Sequence, residues 1–136
     1  MPEEKTVRRA RQARREGKAP TTQAGEFVHE EIQHVREGKH GARSTKQAIA
    51  IGLSKARRAG VDLPPPEKGR VSAKTRRSAQ RDYEAGQGRG GRTPSARRSR
   101  ATMRALKREG RQAASRPALA RQARQARGSA RRRKAA

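Results

Sequence analysis

The sequence predicts a mainly α fold, in which a small central helical hairpin is flanked by basic, partly disordered helical arms. Two observations support this fold class. Nine of the sixteen large apolar or aromatic side chains fall between Phe27 and Leu63 and recur there at helical spacing. The other segments are rich in Ala, Arg and Gln, which favour helices but supply no large core. The chain of 136 residues therefore divides into an N-terminal arm (1–20), a hairpin (21–66) and a C-terminal arm (67–136).

The first two predicted helices are separated by a short break after Gly17. Residues 3–16 form the first helix, which has no apolar stripe. The second helix begins at Thr21 or Thr22, whose hydroxyl groups are suited to cap a helix, and ends near Glu37. Its apolar side chains are spaced three and four residues apart, as one helix face requires: Val28, Ile32 and Val35, with Phe27 beside them.

The third predicted helix has clear start and stop signals. Ser44 followed by Gln47 is a capping box, in which each side chain satisfies a free backbone N–H at the helix start. Gly60 is suited to end the helix in the left-handed conformation, with Val61 packing back, and prolines 64–66 exclude a continuation. The predicted apolar face consists of Ile49, Leu53 and Ala56.

Three further helices are predicted in the C-terminal arm. One begins at Ser72 and covers residues 72–85, and a Gly-rich linker follows at 87–95. The next is capped by Thr93 with Pro94 in its first turn, and it ends at Gly110. The last begins at Ser115 and ends at Gly128. Because these segments contain few apolar residues, we expect them to become firmly helical only when phosphate groups neutralise their mutual repulsion.

The hairpin alone buries too few large side chains to offset the conformational entropy lost when some forty residues are ordered. We therefore expect another surface to complete its core. Self-association into a homo-oligomer through the hairpin, or a bound partner, would supply that surface.

Charge is distributed unevenly along the chain. Lys and Arg number 37 against 12 Asp and Glu, which gives a net charge of +25. The N-terminal arm carries +4, the hairpin +2 and the C-terminal arm +19. A surface this basic indicates a polyanionic partner and is atypical of globular enzymes.

The sequence contains no convincing catalytic or metal-binding motif, so a non-enzymatic protein without cofactor or metal is expected. His29 and Glu30 would begin a zinc-protease helix, but Gln33 stands where the second histidine is needed. Glycines 86, 88 and 91 match a dinucleotide-binding pattern without a preceding strand. Cysteine is absent, and no apolar run is long enough to cross a membrane.

Two groups of cations are predicted to contact phosphates. In the hairpin, residues 38–46 place basic side chains around a helix N-terminus, where free N–H groups favour an anion, and more cations follow at the end of the third helix. In the C-terminal arm, Arg dominates two clusters. The predicted nucleic-acid-binding residues are Lys39, Arg43, Ser44, Lys46, Lys55, Arg57 and Arg58 in the hairpin and Arg97, Arg98, Arg100, Arg131, Arg132, Arg133 and Lys134 in the arm.

Residues 25–28, 36–54 and 57–60 resemble a family of small basic bacterial proteins of unknown function. Proteins of this family are sometimes labelled as plasmid stabilisation or DNA-binding proteins. The resemblance implies a bacterial cytoplasmic protein that associates with DNA, and it implies no catalytic residue.

These observations predict a non-enzymatic, cytoplasmic DNA-binding protein of nucleoid-associated or plasmid-maintenance type. It would bind mainly the phosphate backbone of double-stranded DNA, with little sequence specificity. Two alternatives stay open at this point. One is binding to RNA or the ribosome, which composition does not distinguish from binding to DNA. The other is a protein-interaction adaptor, in which the hairpin binds another protein and the basic arms serve solubility.

Overall fold

In a computed structural model of the chain, residues 2–89 and 95–135 are described. These residues form a mainly helical fold with six α-helices and no strand, which confirms the predicted mainly α class. The arms were expected to be partly disordered, but most of their described residues are helical. None of these helices is long and apolar enough to cross a lipid bilayer. The helices are α1 (Glu4–Arg15), α2 (Pro20–Arg36), α3 (Thr45–Arg58), α4 (Ala73–Gly86), α5 (Ala96–Lys107) and α6 (Arg116–Ala135), with a 3₁₀ turn at Gln112–Ala114 before α6.

The predicted signals at both ends of α3 are confirmed. The hydroxyl of Ser44 accepts a hydrogen bond from the backbone N–H of Gln47 at 3.1 Å. The side chain of Gln47 reaches back to the N–H of Arg43 at 2.6 Å, one residue before the cap itself. After the helix, Gly60 has a φ of 99°, and the N–H of Val61 donates to the carbonyl of Ala56 at 3.1 Å. The helix is therefore closed at each end by local contacts.

The predicted start of α2 and the predicted end of α6 are wrong. Helix α2 begins at Pro20 with Ala19 at the N-cap and no side-chain cap, so the two threonines after Pro20 lie inside the first turn. Proline suits this first position because its missing N–H would have no helical partner. Helix α6 continues past Gly128, because the alanine, arginine and lysine residues beyond it favour helix and offset the cost of one glycine.

Helix α5 begins later than predicted. Its N-cap is Ser95, whose hydroxyl accepts a hydrogen bond from the N–H of Arg98 at 3.1 Å. The predicted cap Thr93, Pro94 and the centre of the Gly-rich linker lie outside the described residues.

Helices α2 and α3 approach closely along a face of small residues. Ala48, Gly52 and Ala56 are buried at spacings of four residues, whereas the predicted core residues Ile49 and Leu53 are only half-buried. A Cβ atom at position 52 would lie 2.6 Å from the Cα of Val28 on the neighbouring helix. Backbone contact of this kind needs a residue without a side chain. Ala56 is therefore buried as predicted, whereas Ala48 and Gly52 take the central positions that were predicted for Ile49 and Leu53.

We expect Gly52→Ala to lower the free energy of unfolding by about 1–3 kcal/mol, because the added methyl group must push two helix backbones apart. Gly25→Ala is the matched control, since a Cβ at that helical position meets no atom within 4 Å. It should stabilise the protein by about 0.5–1 kcal/mol. Urea unfolding followed by circular dichroism measures both changes, and equal stability of the two variants would contradict the close approach.

Residues of both arms complete the core of the hairpin. One cluster of buried residues joins Val35 and Ala48 to Ala113 and Ala114, with Leu119 of α6 packed against it. A second cluster joins Phe27 and Ala56 to residues of α1, namely Ala10 with Val7 beside it. In these two clusters, residues of the same chain therefore supply the surface that was expected from a second copy or a bound partner.

Polar contacts attach α4 to α3. Asp82 accepts a hydrogen bond from Ser54 at 2.7 Å and forms an ion pair with Arg58 at 2.7 Å. The hydroxyl of Tyr83 donates to Asp62 at 2.5 Å. Helix α4 is therefore attached through two carboxylates, that of Asp82 on α4 itself and that of Asp62 after α3. It contributes little apolar surface.

Candidate nucleic-acid interface

The loop between α2 and α3 is more covered than its composition suggests. The N–H of Gly41 donates to the carbonyl of Leu106 at 2.8 Å, and the N–H of Ala42 donates to the carbonyl of Gly110 at 3.1 Å. A Cβ at position 41 would overlap the carbonyl oxygen of Glu109. Residues 106–110, at the end of α5 and just after it, therefore cover the middle of the loop. Only the two ends of the loop are left open to a ligand.

The predicted cations of this loop differ in their surroundings. Arg43 and Lys46 are exposed, and Ser44 serves as the helix cap described above. Lys39 lies 3.4 Å from Glu3 and 3.5 Å from Glu37, and the Glu3 hydrogen bond raises the pKa of this lysine. Lys39 is thus partly neutralised by the protein itself.

The three predicted cations at the end of α3 make contacts within the chain that stabilise the fold. Lys55 contacts the fully buried carboxylate of Glu31. Arg57 is 7% exposed, donates to the carbonyls of Leu63 and Pro64 at 3.0 and 3.2 Å, and has its pKa lowered by burial. Arg58 is paired with Asp82 at 2.7 Å. All three cations are thus engaged by contacts within the chain. Their phosphate-binding role stays a prediction.

The predicted cations of the C-terminal arm are exposed. Arg97, Arg98 and Arg100 lie on α5, and Arg131, Arg132 and Lys134 lie near the end of α6. The side chain of Arg133 lies outside the described residues. Helix α5 packs against no other helix of the described structure, and its C-terminal end is fixed by the hydrogen bond from Gly41 to Leu106.

Four helices share one arrangement of basic residues that the sequence interpretation did not recognise. In each, three cations stand at positions i, i+3 and i+7, so that they fall on one face of the helix. All twelve are exposed, and none forms an ion pair with a carboxylate in the described part of the chain. We call these sets cation stripes: Arg8, Arg11 and Arg15 in α1; Lys74, Arg77 and Arg81 in α4; Arg97, Arg100 and Arg104 in α5; and Arg124, Arg127 and Arg131 in α6.

The stripes of α5 and α6 are each extended by a lysine at i+10, Lys107 and Lys134. Both helices therefore carry the same pattern, R-x-x-R-x-x-x-R-x-x-K, within an arc of roughly 80°. The pattern also occurs from Arg8, but there its lysine, Lys18, lies beyond the end of α1. Counting Arg and Lys reveals only the density of charge, whereas helical spacing would have revealed the stripes.

A shallow cavity of about 400 Å³ lies where the C-terminal arm meets α2. Three arginines line it, Arg36, Arg111 and Arg116, together with Ala114 and Ser115. The Nε of Arg36 donates to the carbonyl of Ala114 at 2.9 Å, which fixes the position of that side chain. The cavity adds convergent positive charge to the exposed arm.

A separate cluster of acidic and histidine side chains joins α1, α2 and the loop. His34 lies 3.1 Å from Glu3 on one side of its ring and 3.9 Å from Glu31 on the other. His40 lies 3.1 Å from Glu31. The His34 hydrogen bond, together with Lys5, lowers the pKa of Glu3 from 4.5 to about 2. The sequence interpretation missed this cluster because its members come from three elements. Two sets offer ligand atoms for a metal ion: Glu31, His34 and His40, and Glu3, Glu30 and His34.

Comparison with known proteins places part of the chain beside a family of unknown function. No curated protein and no solved structure matches the chain. Residues 4–68 match the model of a family of unknown function, DUF6496. That segment runs from the first residue of α1 to two residues after Pro66. It therefore includes α1 together with the hairpin on which α1 packs. The chain is therefore similar to DUF6496 over α1, α2 and α3.

Proposed function

We propose that this protein is a non-enzymatic binder of double-stranded DNA, of nucleoid-associated or plasmid-maintenance type, that contacts mainly the phosphate backbone. The four cation stripes carry this proposal. Each presents three exposed positive charges, free of carboxylate partners among the described residues, along one helix face. Such an arrangement suits a linear polyanion better than a small acidic ligand.

The length of a stripe suits a nucleic-acid strand. From i to i+7 a helix rises about 10.5 Å, and from i to i+10 it rises about 15 Å. One strand of DNA advances about 3.4 Å along the axis for each phosphate. A stripe therefore extends over the axial rise of about three to four phosphates. Each arginine is able to contact one phosphate with two parallel hydrogen bonds.

The aromatic residues favour a duplex over a single strand. Binding to single strands relies on exposed aromatic rings on which bases stack. Apart from histidine, the chain has only two aromatic side chains, those of Phe27 and Tyr83. Phe27 is fully buried, and the hydroxyl of Tyr83 is bound to Asp62. Phosphate contacts are therefore the main source of affinity in this proposal.

A salt series with the full-length protein and a duplex of about 25 base pairs tests the proposal. If the eight cations along α5 and α6 contact phosphates, log Kd should change with log salt with a slope of magnitude about 5–7. The full chain is required, because truncation after Pro66 would remove Ala113, Ala114 and Leu119 from the core.

Two results would contradict the proposal. A slope of magnitude below about 2 would exclude the stripes as the main contacts. A preference of tenfold or more for duplex RNA of the same sequence would favour the RNA-binding alternative. Comparable binding to several unrelated DNA sequences is expected, since phosphates carry no direct sequence information.

A further inference from the structure

We propose that Glu3, Glu30 and His34 form a binding site for a divalent transition metal ion of the zinc class. Each offers one ligand atom, and these atoms all lie within 4.8 Å of one another. His34 lies on α2 beside Glu30, while Glu3 is the N-cap of α1. A metal ion here would join α1 to the hairpin, and its binding does not depend on the proposed DNA-binding function.

Glu30 supplies an independent reason to expect a cation. Glu30 is only 5% exposed. One carboxylate oxygen accepts hydrogen bonds from the N–H of Glu3 at 2.6 Å and the hydroxyl of Thr6 at 3.0 Å. The other oxygen, Oε2, is buried and has no hydrogen-bond partner in the described structure. A buried carboxylate in this state is costly unless a cation compensates it.

The surroundings of His34 suit a metal ligand. Its Nε2 faces Glu3 at 3.1 Å, and its Nδ1 faces the carboxylate of Glu31 at 3.9 Å on the opposite side of the ring. A carboxylate that accepts the second N–H of a ligating imidazole orients the ring and raises its basicity. Glu31 is on the correct side of the ring for this role but has to move closer than 3.9 Å to accept that hydrogen bond. Glu31 is itself held by Lys55 and His40, so it is placed to support His34 rather than to bind the ion.

The second candidate set, Glu31, His34 and His40, is less suitable for a cation. The ammonium group of Lys55 already contacts Glu31 and would repel a second positive charge there. By contrast, the lysines near Glu3 have exposed side chains, 65% for Lys5 and 53% for Lys39. Both are able to move into solvent when a metal ion takes their place.

The donor atoms indicate which ions would bind. One imidazole nitrogen and two carboxylate oxygens suit zinc and cobalt(II) better than calcium, which prefers six or more oxygen ligands. Three protein ligands leave a fourth position of a tetrahedral site for water.

Titration of the untagged, full-length protein with zinc and cobalt(II) tests the site. We expect one zinc ion per chain, a rise of the melting temperature by about 5–10 °C at 100 μM zinc, and visible absorption typical of tetrahedral cobalt(II). Glu30→Gln keeps the hydrogen bonds from Glu3 and Thr6 and should weaken zinc binding at least tenfold. Without metal, this variant should be at least as stable as the natural protein, because a buried unpaired charge is removed.

His29→Gln is the matched control, because His29 is an exposed histidine on the same helix outside the cluster. This variant should bind zinc as the natural protein does. The proposal is wrong if the natural protein binds zinc with a Kd above about 100 μM. It is also wrong if Glu30→Gln binds within twofold of the natural protein, or if His29→Gln weakens binding as much as Glu30→Gln does.

Discussion

Lys55→Met is expected to lower the free energy of unfolding by about 3–5 kcal/mol, a far larger loss than the removal of an exposed lysine would cause. The ammonium group of Lys55 contacts Glu31, whose side chain is fully buried. Methionine fills a similar volume but leaves that carboxylate with His40 and the more distant His34. Most of the cost comes from a buried charge that has lost its strongest partner, rather than from the lost attraction alone.

Urea unfolding followed by circular dichroism measures this effect. Lys46→Met is the matched control, because Lys46 is an exposed lysine on the same helix, and it should change stability by less than about 0.5 kcal/mol. Combining Lys55→Met with Glu31→Gln should recover part of the loss, since the unpaired charge is then removed. If Lys55→Met instead leaves stability within about 1 kcal/mol and weakens DNA binding, the phosphate-contact role expected from the sequence would be correct.

Local signals in the sequence were sufficient to predict the hairpin. The capping residues of α3, its glycine end and the apolar spacing of α2 act over a few residues. A contact between Ser44 and Gln47 depends on little else in the chain, and it is present in the structure. Helix type and most helix ends follow from such contacts.

The roles of individual cations depend on long-range contacts that the sequence does not reveal. Lys55 is paired with a glutamate 24 residues earlier, and Arg58 with an aspartate 24 residues later. A run of lysine and arginine at a helix end, followed by prolines, has the same sequence pattern whether its side chains are free or buried. Arg57 shows this most clearly, because its charge is satisfied by the carbonyls of Leu63 and Pro64 after the chain turns back.

The part of the arms in the core was missed for a different reason. Apart from Ala56, the predicted core consists of large side chains, whereas the arms contribute mainly alanines, such as Ala10, Ala113 and Ala114. Alanine buries little surface, but it allows helices and turns to approach closely. A chain with few large apolar residues is thus able to pack through small ones, as the face around Gly52 also shows.

Removing one cation stripe should weaken DNA binding more than removing the same charge elsewhere. In the stripe variant, Arg124, Arg127 and Arg131 of α6 are all replaced by glutamine, which favours helix about as well as arginine does. If each arginine contacts one phosphate, the magnitude of the salt slope should fall by about 2.7, and affinity at about 100 mM salt should fall by about 100-fold or more.

The matched control replaces Arg9, Arg14 and Arg121 by glutamine. These residues are exposed, lie outside the stripes of α1 and α6 and are not among the predicted phosphate contacts, and the loss of net charge is identical. We expect a slope change below about 1 for this variant, because its charges do not lie along a single face. Circular dichroism should show unchanged helix content for both variants. Equal losses in the two would mean that net charge alone governs binding, and the regular spacing of the stripes would then have no part in recognising DNA.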